Sequence, residues 1–185
     1  MENQKPIIAT ASLAGCFGCH MSLLDIDDRI LNLIELVEFD KSPINDLKKF
    51  TRHCDIGIIE GGCCNSENIH MLKEFRKNCR ILISVGECAI MGGLPALRNG
   101  IPIRECIEEA YWQSPSVKGH NPEMILPNDQ ELPMLLDRIY HCHEIVKIDY
   151  FLPGCPPRAD LLYDALVSII TGTEMKLPYE VIKFD

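Results

Sequence analysis

Of the ten cysteines in this 185-residue chain, four stand where a thiolate could grip a metal. Cys16 and Cys19 are two residues apart with Gly18 between them. Both thiolates can reach one centre across such a turn. Cys88 sits in Gly86-Glu87-Cys88 and is followed by Gly92-Gly93, which lets the backbone come close to a bound group. Cys155 sits in Pro153-Gly154-Cys155-Pro156-Pro157. A thiol held between prolines is ill suited to moving and well suited to holding something heavy, and cluster cysteines often precede proline. Cys63 and Cys64 are adjacent, so their side chains diverge. One of them could stand in for Cys88. Cys54, Cys79, Cys106 and Cys142 read as small buried hydrophobes.

Three chemistries compete for these thiols. An iron–sulfur cluster uses all four contexts at once. Structural zinc usually takes two Cys-x-x-Cys knuckles, and only one exists here. A thioredoxin-type dithiol explains Cys16 and Cys19 but leaves Cys88 and the proline-flanked Cys155 without a role. Disulfides are disfavoured, because the N-terminus shows no signal-peptide pattern and a reducing cytoplasm is the expected compartment. A net charge of −9 argues against nucleic acid, which needs a basic surface. No stretch approaches the roughly 20 apolar residues of a membrane span.

These cysteines need a scaffold that brings distant loops together, and the apolar pattern supplies one. Residues 6–13, 36–39, 55–59, 80–85 and 145–152 read as strands. Their nearly continuous apolarity suits strands covered on both faces. Leu23, Ile26, Ile30 and Leu33 recur at helical spacing, as do Ile69, Leu72 and Phe75 behind a cap at Asn65 or Ser66. A short helix is predicted over 104–113, a loop over 114–128 and a helix over 132–142. Another helix is predicted from Pro157 to Gly172, with Leu162, Ala165, Leu166, Ile169 and Ile170 inward. Strands alternating with helices predict a parallel α/β sheet. Residues 1–185 are predicted to form one domain, with 173–185 a C-terminal tail. In open parallel sheets, sites form beyond the carboxyl ends of the strands. Cys16 and Cys19 follow the first strand, Cys63 and Cys64 the third, Cys88 the fourth and Cys155 the last.

The strings Gly15-Cys16-Phe17-Gly18-Cys19, Glu60-Gly61-Gly62, Gly86-Glu87-Cys88-Ala89-Ile90-Met91-Gly92-Gly93 and Pro153-Gly154-Cys155-Pro156-Pro157 together resemble the small subunit of [NiFe]-hydrogenases. They occur in that family's order and span nearly the whole chain. The resemblance implies a flavodoxin-like fold, a parallel sheet with helices on both faces. It also implies one [4Fe–4S] cluster at the carboxyl edge, held by Cys16, Cys19, Cys88 and Cys155. Most respiratory members have an export signal and a C-terminal domain with two further clusters; here no cysteine follows Cys155. The short form looks like the small subunit of the cytosolic, bidirectional NAD-reducing hydrogenases. Partners implied by that likeness are a large subunit with the Ni-Fe centre, and a diaphorase whose FMN and further Fe–S clusters react with NAD. The related complex I subunit uses adjacent cysteines at its first site, where this chain has Cys-x-x-Cys. F420-reducing relatives carry additional ferredoxin-type cysteines that are not found here.

Weaker candidates surround this set. Glu60 ends a strand and Glu87 precedes a candidate ligand. Either could face a partner, assist proton movement, or serve a hydrogen-bonded turn. His20 could donate to a cluster sulfur or be a buried helix-start histidine. His141 and His143 flank Cys142; as a strand they would share one face, and solvated surface is the better reading. Backbone N–H groups near Gly15, Gly18, Gly62 and Gly154 are candidate donors to sulfur. A flavin on this chain would need a phosphate loop after the first strand, where Ser12-Leu13-Ala14-Gly15-Cys16 stands instead. A zinc-stabilised scaffold without redox activity is the alternative function.

Overall fold

The computed structural model describes residues 5–117, 123 and 125–174. The chain runs β1 (Ile7–Ser12), α1 (Gly18–Leu24), α2 (Arg29–Leu36), β2 (Glu38–Phe39), β3 (Cys54–Glu60), β4 (Cys63–Asn65) and α3 (Ser66–Asn78). It continues through β5 (Cys79–Val85), α4 (Glu87–Met91), α5 (Ile103–Glu108), β6 (Leu135–Tyr140), α6 (Cys142–Ile145), β7 (Tyr150–Leu152) and α7 (Ala159–Thr171). Five strands form one parallel sheet in the order β2-β1-β3-β5-β7. This is the flavodoxin-like order, whose direction reverses at β1 and opens a crevice beside it.

Continuous apolarity in β1, β3 and β5 has the expected cause, since both sheet faces are covered. On one face Ile8, Ile56, Ile58 and Val85 pack with Leu23, Ile26 and Leu33 and with Leu162 and Leu166 of α7. On the other face Ala9, Ile59 and Leu82 pack with Leu72 and Phe75 of α3 and with Cys142. Asn65 is the cap of α3: its side-chain oxygen accepts from Asn68 N at 2.8 Å. Gly172 closes α7 in the left-handed region.

Local structure departs from the sequence expectation in three places. The apolar stripe from Leu23 to Leu33 is carried by two helices, not one. The break at residues 25–28 holds three aspartates, poor helix formers, with Asp27 at φ 53°. Residues 132–142, predicted helical, instead contain β6, antiparallel to β4. Its partner lies some 70 residues earlier, so no local periodicity reports the pairing. Residues 145–152, predicted as one strand, keep only β7 as strand; Ile145 ends α6, and residues 146–149 link the two. The expected loop lies outside the described residues at 118–122 and 124, as does the expected tail from residue 175 onward.

Asp149 ties the late strands to the sheet. Its Oδ2 accepts from Leu82 N at 2.9 Å and from Arg76 Nη1 at 2.6 Å. Burial opposes ionisation, but the bonds from Arg76 and Leu82 prevail and hold this carboxyl below its usual value. A lowered folded pKa adds stability that is fully present above the unfolded value of about 4 and fades as pH falls through the folded one. Asp149→Asn therefore lowers the urea midpoint at neutral pH, and the gap to wild type narrows on acidification below about pH 4. A constant gap across that range would contradict the assignment.

Candidate metal centre

Four neighbouring strands deliver the site. β1, β3, β5 and β7 stand side by side, and the loop after each reaches one cleft. Cys16, Cys19, Glu60, Gly61, Glu87, Cys88, Gly154 and Cys155 line it. The carboxyl-edge placement expected from the sequence thus brings Cys16, Cys19, Cys88 and Cys155 together. Cys63 and Cys64 stay out. Cys63 is fully buried and hydrogen-bonds the Cys142 thiol behind the sheet edge. The Cys64 sulfur stands 3.2 Å from Asn68 Oδ1. Cys54 and Cys79 lie opposite each other at the far ends of β3 and β5 as free thiols that share a hydrogen bond. Cys106 lies on α5.

Backbone bonds fasten the loops in pairs. Ala14 and Gly62 exchange two N–H···O bonds of 2.9 Å each, joining the loops after β1 and β3. Glu87 N donates to Gly154 O at 3.1 Å, while Gly154 N donates to Glu87 Oε1 at 3.1 Å. Glu87 is therefore the clamp between the Cys88 and Cys155 loops, the hydrogen-bonded turn among its candidate roles. The expected donors Gly62 and Gly154 spend their N–H groups on these bonds. Gly18 N does reach sulfur, at 3.3 Å from Cys16 Sγ. The backbone of Leu94 bonds Cys88, a donor that no sequence signal marked.

Glycines make room for the thiols. A Cβ on Gly86 would stand 2.3 Å from Cys19 Sγ, and one on Gly93 2.8 Å from Cys88 Sγ. Both residues have positive φ, which glycine adopts without penalty.

The electrostatics favour a positively charged guest. Burial, then the Glu60 charge, then Cys88 and Cys16 push the Cys19 thiol far up. Burial, then Cys155 and Cys16, raise the Cys88 thiol. Four thiols this close resist ionising together unless a cation accompanies them, and metal ligation requires thiolates. Among the described residues, no three His, Cys, Asp or Glu side chains gather closely enough to hold one metal ion. The four thiols ring the cleft instead of meeting at a point. An all-sulfur donor set, N–H groups aimed at sulfur and glycines beneath the thiols fit an iron–sulfur cluster.

A buried polar chain backs the cleft. Glu60, 2% exposed, accepts from Ser12 Oγ at 2.7 Å and from His20 N at 2.9 Å. His20 Nδ1 lies 3.2 Å from Glu60 Oε1, and its Nε2 lies 2.9 Å from Thr10 Oγ1. Thr10 Oγ1 in turn is 2.7 Å from Ser42 Oγ. Burial opposes ionisation of Glu60, but the bonds from His20 and Ser12 outweigh it and hold the carboxyl below its usual value. With both ring nitrogens engaged, His20 does not donate to a cluster sulfur; it is the buried histidine among its two candidate readings.

The His141 and His143 rings lie 5.3 Å apart, tilted by 43°, and His143 and Phe151 meet edge to face. His141 caps α6 and His143 lies within it, so neither is on a strand, while Cys142 is fully buried. A larger apolar groove runs between β7 and α7, lined by Ile83, Phe151, Leu162 and Ile169 among others, and offers packing without chemistry.

The family model for the NADH ubiquinone oxidoreductase, 20 Kd subunit, matches residues 16–169. The chain belongs to this family. It is 42% identical over 179 residues to the NAD-reducing hydrogenase HoxS subunit delta of Cupriavidus necator, covering 96% of this chain and 85% of that protein. It is 38% identical to a subunit of the F420-non-reducing hydrogenase of Methanothermobacter thermautotrophicus, across 95% of this chain but only 56% of that protein's length. Among solved structures, a chain of an NAD+-reducing [NiFe]-hydrogenase in the H2-reduced state matches with a TM-score of 0.92 and 47% identity, covering 98% of this chain and all of that one. The resemblance to the hydrogenase small subunits, carried in the sequence by four short strings, thus extends over the whole sheet. Among the described residues, no helix is long and apolar enough to cross a membrane.

Proposed function

We propose that this chain is the electron-transfer small subunit of an NAD-reducing [NiFe]-hydrogenase, with Cys16, Cys19, Cys88 and Cys155 holding one [4Fe–4S] cluster. The observation that carries the reading is the convergence of these four thiols, from four adjacent strand ends, on one cleft. Such a cluster supplies one-electron storage at a potential set by charge, burial and hydrogen bonds to sulfur. The chain's own groups do the holding. Glu87 and the Ala14–Gly62 pair fix the loops, and Gly18 and Leu94 direct N–H groups at sulfur. The other six cysteines sit in the core, beside Asn68 or on α5, which supports a single cluster. Residues 1–185 act as one domain in this reading.

Partners follow from the likeness to the HoxS delta subunit. A large subunit with the Ni-Fe centre splits hydrogen, and a diaphorase with FMN and further Fe–S clusters exchanges electrons with NAD, in the cytoplasm. Exposed apolar side chains on the cysteine-bearing elements support docking there: Met21 on α1, Met91 on α4, and Leu94 just beyond it, 73% exposed. Covering such side chains with a partner removes apolar area from water.

Purified anaerobically, the chain is brown, bleaches on reduction and carries about four irons, as a [4Fe–4S] cluster requires. A colourless protein with stoichiometric zinc overturns the proposal in favour of a structural scaffold.

A further inference from the structure

Cys54 and Cys79 have no part in the cleft. β3 runs from Cys54 to Glu60, so roughly 20 Å of strand separates the pair from it. The two are direct partners in the ladder of β3 and β5, and both are free thiols in one core cluster. The Cys79 side chain leans over β3: a Cβ added to Gly57 would stand 2.8 Å from Cys79 Sγ and 3.2 Å from Cys79 Cβ. Glycine weakens a strand interior and marks a place where another group comes close. Here that group is a thiol from the neighbouring strand. Neighbouring strands stand about 4.8 Å apart, within the span of roughly 4.4–6.8 Å between the Cα atoms of a disulfide. The two sulfurs can therefore join without a change of register or strand spacing.

Both residues are buried, at 3% and 2% exposure, yet both line a cavity of about 490 Å³. Its other walls are His53, Asp55, Lys77 and Arg80, of which His53, Lys77 and Arg80 are exposed. A polar rim of this kind admits water and polar solutes of its size. We propose that Cys54 and Cys79 form a reversible oxidation site for hydrogen peroxide, a dithiol at rest and a cross-strand disulfide after exposure. One thiol attacks the peroxide: an S–O bond forms, the O–O bond breaks, and the thiol proton leaves in a first water. The second thiol then attacks the sulfenic sulfur: the S–S bond forms, the S–O bond breaks, and a second water carries off the remaining proton. Together the thiols lose two electrons, and one peroxide is reduced to two waters. A dithiol reductant reverses the step by thiol–disulfide exchange. The ring so closed spans β3, β4 and α3 and tethers β3 to β5 at their amino ends.

The test exposes the purified hydrogenase complex to hydrogen peroxide and removes the excess with catalase. Free thiols are then alkylated in denaturant, and the peptides are mapped by mass. The expected result is a linked pair of peptides carrying Cys54 and Cys79, lighter by two hydrogens than the separate thiol peptides. Most of the alkylated signal of both cysteines is expected to disappear with it. Dithiothreitol, added before alkylation, is expected to restore both signals. In Cys79→Ala, Cys54 is expected to form no link to any other cysteine. The map is read on wild type first, so the outcome does not wait on that variant folding.

Full alkylation of both cysteines after peroxide overturns the inference: the pair is then inert core. A link from either one to a different cysteine overturns it as well, because the ladder pairing would not have chosen the partner. So does oxidation of the two that dithiothreitol fails to reverse. The pair shares no residue with the cleft, so each of these failures leaves the cluster reading standing.

Discussion

Cys19→Ala removes about four irons from the complex, the content of one [4Fe–4S] cluster. It lowers hydrogen-driven NAD+ reduction by more than ~100-fold, since loss of mere supporting groups around a metal already costs 10–100-fold. Cys19 starts α1 within the cleft, behind the exposed Cys16 and Cys155. No spare thiol can replace it. Cys63 is fully buried against Cys142, and the Cys64 sulfur faces Asn68. Cys64→Ala and Cys106→Ala, which alter cysteines outside the cleft, keep full iron and rate. Iron analysis of the co-purified complex and the rate of NADH formation under hydrogen provide the check. Retention of both iron and rate in Cys19→Ala would falsify the ligand assignment.

Gly86→Ala produces the second large effect, without touching a ligand. Gly86 has φ 83° and ψ 161°, a region essentially restricted to glycine that costs roughly 1–3 kcal/mol for other residues. The new Cβ would also stand 2.3 Å from Cys19 Sγ, well inside contact distance. Either the thiol moves or the turn opens. Opening it strains the bond from Gly86 N to Leu152 O, 2.8 Å, and the bond from Glu87 N to Gly154 O, 3.1 Å. The expected result is about 1–3 kcal/mol of lost stability together with loss of most of the cluster iron from chains that remain folded. Gly100→Ala, where an added Cβ meets nothing within 4 Å, leaves both quantities unchanged. Urea unfolding with iron per folded chain measures the pair. Full iron in Gly86→Ala would refute the packing argument.

Much of the site was legible before any coordinates. Cys-x-x-Cys is a local pattern, and its reach is set by two intervening residues. The glycines before Cys88 and the prolines around Cys155 declare a fixed backbone at those positions. Strand ends were legible too, because a strand buried on both faces shows as an apolar run, and β1, β3 and β5 do so. Where burial is one-sided and the partner distant, the signal fails. Within β6 only Ile139 is buried, so its residues carry neither a strand alternation nor a helical stripe, and its pairing with β4 came only with the folded chain.

The neighbours of the cysteines were the less legible part. From sequence, Glu87 had three readings and His20 two. The choice fell to contacts with Gly154, 67 residues away, and with Glu60, 40 residues away. Leu94 gave no signal as a donor to Cys88, because a backbone N–H is the same at every residue and only its direction matters.

By itself, then, the sequence determined a parallel α/β sheet and a set of cysteines in rigid contexts past its strand ends. Both are written in short-range patterns that chain geometry enforces. Only the tertiary structure decided that Glu60 pairs with His20 behind the cleft, that Gly86 lies beneath the Cys19 sulfur, and that Cys63 turns away to Cys142. Those facts depend on directions between segments distant in the chain, set by how the strands and helices pack.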